Sequence, residues 1–176
     1  MDDTAWDRKI DNFFKDEFDE SDPNGSIDRM KALVSERPAG DAAAHFELGG
    51  VHDALGLEDE AIQYYRQAIA AGLDGERATR LFIQLASTLR NVGSSAEAVS
   101  TLESMPAAGD DEAARQAFLA LALYDEGRFG DALRTALLAL IPTLDGYRRA
   151  LKEYAEELPK TVPVHLRRPG TEGPRS

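Results

Sequence analysis

The chemistry open to this 176-residue chain is bounded by its histidines, carboxylates and arginines, because it contains no cysteine. Without thiols it cannot build a disulfide scaffold, a thiolate zinc site, an iron–sulfur cluster or a cysteine nucleophile. Of the three histidines, His165 stands near the C-terminal end, far from the other two in sequence. His45 and His52 are two helical turns apart, roughly 10 Å along an axis rising 1.5 Å per residue. Metal–ligand bonds are about 2 Å long, so that pair alone cannot chelate one ion. Packing is the expected role of both. The acid clusters Glu58-Asp59-Glu60 and Asp110-Asp111-Glu112 fall at expected helix starts, where carboxylates complement the helix dipole rather than form an acid–base pair. Gly49-Gly50 lies inside an expected helix with no strand before it, so it is not a phosphate loop. No strand-to-helix nucleophile elbow is present. These residues point away from an enzyme and imply neither cofactor nor metal.

The arginines are more informative. Arg80, Gln84, Ser87, Arg90 and Asn91 step by three or four and make a polar, cationic stripe on one helix. Arginine is a forked donor suited to carboxylates. The stripe could receive an acidic peptide, or its arginines could pair with Asp53, Asp125 or other acids of neighbouring helices. The whole chain carries 20 basic and 32 acidic residues, a net charge of −12. That balance argues against nucleic acid or an anionic membrane as partner, since both select for excess Lys and Arg. No stretch approaches 18 uninterrupted apolar residues, so no membrane span is expected. The start Met1-Asp2-Asp3-Thr4 is acidic, unlike a secretory leader, and the cytoplasm is the expected compartment. The charge is uneven: residues 1–22 are net −6 and residues 159–176 net +3.

A repeat must position these groups. Gly56-Leu57-Glu58-Asp59-Glu60-Ala61, Gly93-Ser94-Ser95-Ala96-Glu97-Ala98 and Gly127-Arg128-Phe129-Gly130-Asp131-Ala132 share a glycine five residues before an alanine, with an acid directly before that alanine. The alanines are 37 and 34 residues apart. Each glycine ends a helix through a left-handed turn. Each alanine is small enough for two helices to approach. Thirteen residues before the alanines lie Leu48, Leu85 and Leu119, each followed by a small residue, Gly49, Ala86 or Ala120. The pairs read as a knob beside a hole.

His45-x2-Leu48-Gly49-x2-His52 followed by Ala61-x3-Tyr65-x2-Ala68 resembles the tetratricopeptide repeat, with histidines at its aromatic positions in the first helix. Leu85-Ala86-x2-Leu89 with Ala98-x3-Leu102, and Leu119-Ala120-x2-Leu123 with Ala132-x3-Ala136, continue it in phase. The stretch from Gly72 to Gly93 also resembles a bacterial subfamily of small three-repeat tetratricopeptide proteins. The chain departs from the pattern where Gly72–Gly75 replaces the closing proline and where Pro106 arrives early. The resemblance implies an all-α solenoid of antiparallel helix hairpins, a right-handed superhelix with a C-terminal capping helix, that binds protein partners.

Helices are expected over 41–55 and 58–71, 76–92 and 95–105, and 110–126 and 129–140. A cap from Pro142 to 158 would carry Leu144, Tyr147, Leu151, Ala155 and Leu158 on one face. The repeat domain then spans 26–158, preceded by an acidic aromatic segment, 1–25, and followed by a basic, proline-rich tail, 159–176, expected to be disordered. Ser26 is expected to cap a helix over 27–36. Trp6, Ile10, Phe13, Phe14 and Phe18 fall on one helical face, either docked as a worn fourth hairpin or free to bind elsewhere. The resemblance assigns the concave groove to Phe46, Gly50 and Asp53, to Arg80, Ile83, Ser87, Arg90 and Asn91, and to Ala117, Leu121, Tyr124 and Asp125. Gln84 belongs with them through the stripe. Phe46 and Gly50 stand where the heat-shock cochaperone clamp needs lysine and asparagine, so that clamp is absent. Three functions are expected as candidates: a groove binding a protein or peptide partner, an acidic one included; a small acidic chaperone for a secreted or labile client; and a self-associating scaffold, with a homodimer through Trp6–Phe18.

Overall fold

The computed structural model describes residues 3–105 and 109–160. Pro106, His165 and the tail from residue 161 lie outside the described residues. Nine α-helices occur among those described: α1 (Asp3–Asn12), α2 (Pro23–Val34), α3 (Ala42–Ala54), α4 (Glu58–Ala70), α5 (Gly75–Asn91), α6 (Ser95–Ser104), α7 (Glu112–Asp125), α8 (Phe129–Leu140) and α9 (Arg148–Glu157). No strand occurs among them. The fold is all-helical, as the spacing of its glycines and alanines predicts.

The turns show why. Gly56, Gly93 and Gly127 have φ of 69°, 77° and 70°, a left-handed conformation that glycine adopts without a Cβ penalty. The N–H of Gly56 donates to the Asp53 carbonyl, and that of Leu57 to the His52 carbonyl. The same pair of bonds closes α5 at Gly93 and α7 at Gly127. Carbonyls that a helix end would leave orphaned are thereby satisfied. Ala61, Ala98 and Ala132 are buried just beyond.

The chain divides into two compact units, residues 1–94 and 95–176. In the first, the acidic aromatic segment docks on its own chain. Trp6, Ile10, Phe13, Met30 and Val51 form a buried cluster, and Trp6 Nε1 donates to the Leu33 carbonyl at 3.1 Å. The aromatic side chains proposed for self-association are thus largely spent on the chain's own core. After α1 the backbone widens into a π turn, Phe13–Glu17. Ser26 does not cap α2. Asp22 does, accepting from the Gly25 N–H, with Pro23 in the first turn, because Asp followed by Pro is a stronger start than a serine four residues on. Ser26 is buried, and its hydroxyl bonds both the N–H and the carbonyl of Asp19, fixing the loop.

α3 and α4 pack as an antiparallel hairpin, and α5 packs on both. A Cβ on Gly49 would stand 2.5 Å from the Tyr65 ring, so the two helices touch where the sequence places a hole. Leu81, Leu85, Ala86, Thr88 and Leu89 are the buried residues of α5.

In the second unit α7 packs on α6 and on α8, and α9 packs on α8. Arg115 donates to the Leu102 carbonyl at 2.9 Å. Arg134 of α8 donates to the carbonyls of Ala155 and Leu158, tying down α9. The capping helix is shorter than the expected 142–158. Ile141–Thr143 form a 3₁₀ turn with Pro142 in it, Leu144 is extended, and Tyr147 takes a left-handed conformation (φ 61°) before α9 begins. Tyr147 is exposed. Proline suits a first turn, but the Asp145-Gly146 pair that follows favours a bend over continued helix. Leu144 and Tyr147 therefore fall outside the cap's apolar face, which is left to Leu151, Ala155 and Leu158.

Candidate functional site

A polar cluster ties α1 to α3 and α5 in the first unit. Arg77 Nε donates to Glu47 at 2.9 Å, and its Nη2 to Asp7 at 2.8 Å. The Glu47 side chain is almost fully buried. Burial pushes its carboxyl above the ordinary value, while the bond and charge of Arg77 pull it back. Arg77 and Arg37 also stand over the Trp6 ring, 5.3 and 5.0 Å from its centre, within cation–π range. Reading by periodicity misses this cluster, since its members are 40 and 30 residues apart and each looks like a solvated charge.

A second network joins the hairpin to α5. Thr88 donates to Asp53 at 2.9 Å, and the Tyr65 hydroxyl lies 3.3 Å from both Asp53 and Gln84. Burial raises the Asp53 carboxyl, with the Thr88 and Tyr65 bonds opposing it. Burial and the Asp53 charge raise the Tyr65 phenol. Asp53 and Gln84 thus join helices to one another.

Phe46, Gly50, Asp53, Arg80 and Gln84 line one pocket of about 290 Å³ in this unit, faced by Ile10, Asp11 and Phe14 of the N-terminal segment. Phe46 is buried against Tyr65. A Cβ on Gly50 would stand 3.5 Å from the Phe14 ring. Arg80 is exposed and lies over Phe46, 5.7 Å from the ring centre. Among the described residues no carboxylate forms an ion pair with it. Ile83 and Ser87 are half-buried and Asn91 is exposed; none of them lines this pocket. Arg90 is already engaged. The stripe therefore divides, with Arg80 at the pocket and Gln84 in the network.

The remaining predicted residues belong to the second unit. Leu121 and Tyr124, with Ala117, line an apolar groove of about 770 Å³ between α7 and α8. Ala120, Phe129, Ala132, Leu133, Ala136 and Ala139 complete it. Four large side chains stand open there: Leu121 is 47% exposed, Tyr124 62%, Phe129 57% and Leu133 50%. The Tyr124 and Phe129 rings meet edge to face at 5.0 Å. Asp125 is exposed, engaged and outside the groove. Phe129 and Leu133 were not among the expected site residues. For Leu133 the signal was the repeat register, which aligns Leu133 and Ala136 with Ile62 and Tyr65; Phe129 aligns with Glu58, and the register carries no signal for it. In the first unit Ile62 and Tyr65 are buried, and α5 packs on their hairpin. In the second unit the corresponding face is open.

His45 and His52 pack. His52 Nδ1 donates to the Leu48 carbonyl at 2.6 Å, and its ring lies 4.9 Å from that of Tyr64; His45 stacks on the same tyrosine at 6.5 Å. Among the described residues no three His, Asp or Glu side chains are grouped to hold a metal ion. No helix among them is long and apolar enough to cross a membrane.

A family model described as Tetratrico peptide repeat matches residues 42–158. No curated protein matches the chain.

Proposed function

Because the chain belongs to the tetratrico peptide repeat family, a family of protein-interaction repeats, we propose that it is a non-catalytic binding module that holds a partner helix in the α7–α8 groove. One observation carries the reading: Leu121, Tyr124, Phe129 and Leu133 are all exposed, by 47% to 62%, in one apolar groove. Contiguous exposed apolar surface of this kind marks interaction sites. The partner's chemistry follows from the first hairpin, where α5 presents Leu81, Leu85 and Leu89 at four-residue spacing. An amphipathic helix with large apolar residues at i, i+4 and i+8 is the matching ligand.

Burying one leucine is worth about 1.5–3 kcal/mol. Leu121→Glu with Leu133→Glu is therefore expected to weaken the partner at least ~100-fold. Both side chains are half-exposed in the free protein, so its stability should change by about 0.5 kcal/mol or less per site. Affinity capture with the full chain should recover a partner that the double variant loses at unchanged melting temperature. Retention of every captured protein by the double variant would overturn the proposal.

The same open groove also favours a chaperone for a labile client. A client whose solubility depends on co-expression, without a stable stoichiometric complex, would support that reading over the first. An acidic peptide remains the candidate ligand for the exposed guanidinium of Arg80, and the cytoplasm the proposed compartment.

A further inference from the structure

The pocket at Phe46, Gly50 and Arg80 is bordered by the chain itself. Ile10, Asp11 and Phe14 face it from the N-terminal segment, Asp7 is ion-paired to Arg77, and Trp6 lies beneath Arg37 and Arg77. Trp6 and Ile10 are one turn apart on α1, Asp7 flanks Trp6, and Phe14 follows in the π turn. Acid on α1 meets base on α5, and aromatic meets the flat patch that Gly50 leaves. The joint is not continuous core throughout. Phe14 is 37% exposed and the Asp7 side chain 40%, so solvent reaches the contact along one edge.

We propose that the first unit carries a binding site for an acidic, aromatic amphipathic helix, and that residues 3–17 are its resident occupant in cis. An external helix with a tryptophan followed directly by an acid, and apolar residues four and eight places on, competes for the same seat. Occupancy by α1 then sets how much partner is needed. This inference rests on residues 3–94 and is independent of the α7–α8 groove.

Trp6 is the only tryptophan in the chain, which makes the test direct. In the full chain carrying Trp6→Ala, a synthetic peptide of residues 3–18 brings the sole indole in the sample. Its emission should move to shorter wavelength on titration and saturate at one peptide per chain. Asp7→Asn in the peptide should weaken binding at least tenfold. Emission that stays solvent-like against a Trp6→Ala chain of native helicity overturns the proposal. Should Trp6→Ala fail to fold, the Asp7→Asn chain serves in its place, with a fluorescein-labelled peptide read by anisotropy. Tighter binding to that chain than to wild type supports cis occupancy. Equal binding to both, or none to either, overturns it.

Discussion

Arg77→Ala is expected to lower the stability of the protein by about 3 kcal/mol, because removing one partner of a buried pair leaves the other charge uncompensated. Glu47 is the charge left behind, almost fully buried and without its bond to Arg77. The lost contacts to Asp7 and to the Trp6 ring add to the cost. The pH dependence distinguishes this from simple loss of packing. Burial holds the Glu47 carboxyl above its ordinary value of 4.5 even with Arg77 present. Between 4.5 and that raised value the native state binds more protons than the unfolded state, so stability falls as pH rises through that window. Without Arg77 the carboxyl is raised further and the window widens. The deficit of Arg77→Ala should therefore be largest near neutrality and shrink on approach to 4.5. Urea unfolding at both ends of that range measures it. Arg77→Ala combined with Glu47→Gln should recover most of the loss at neutral pH. A deficit that is the same at all pH values, and unrelieved by the double change, would show that Arg77 acts through packing alone.

Tyr65→Ala is expected to cost about 3–5 kcal/mol, the range for deleting a fully buried aromatic ring. Its ring is wholly buried, fills the space opposite Gly49, and packs on Phe46. Its hydroxyl lies between Asp53 of α3 and Gln84 of α5. Tyr65→Phe keeps the ring and should cost about 1 kcal/mol, the worth of an ordinary hydrogen bond. Chemical denaturation of the two variants separates the ring from the hydroxyl. Comparable losses from both would place the stability in the polar network rather than in the hairpin contact.

The helical class was legible because it depends on local rules. A glycine that must turn left-handed ends a helix at Gly56, Gly93 and Gly127, and an alanine five residues on lets the next helix approach. The cap was legible only in part. Periodicity joined Leu144 and Tyr147 to Leu151 and Ala155, but it does not register that Asp145-Gly146 interrupts the backbone between them. The N-terminal aromatic face admitted both docking and release, since the partners that hold it, Leu33, Met30, Val51 and Arg77, are distant in sequence.

The site was harder to read for the same reason. Gln84 steps with Arg80 along one helix, yet one binds Tyr65 while the other lies exposed over Phe46. Spacing alone cannot say which polar group finds a buried partner. Leu133 belongs to a stripe that ordinarily signals core, and its counterpart in the first unit, Ile62, is core; Phe129 stands where the first unit has Glu58, so the register gave no sign of it. Whether such a face is covered depends on the next element, which the stripe itself does not encode.

The most direct test of the central claim is photocrosslinking from the groove. With benzoylphenylalanine at position 121 in the full chain, irradiation should give an adduct with the partner recovered by affinity capture. Adding Leu133→Glu should abolish that adduct, and the same probe at Ser100, exposed on α6, should give none. A partner that is captured but crosslinks from Ser100 and not from position 121 would contradict the assignment of the α7–α8 groove.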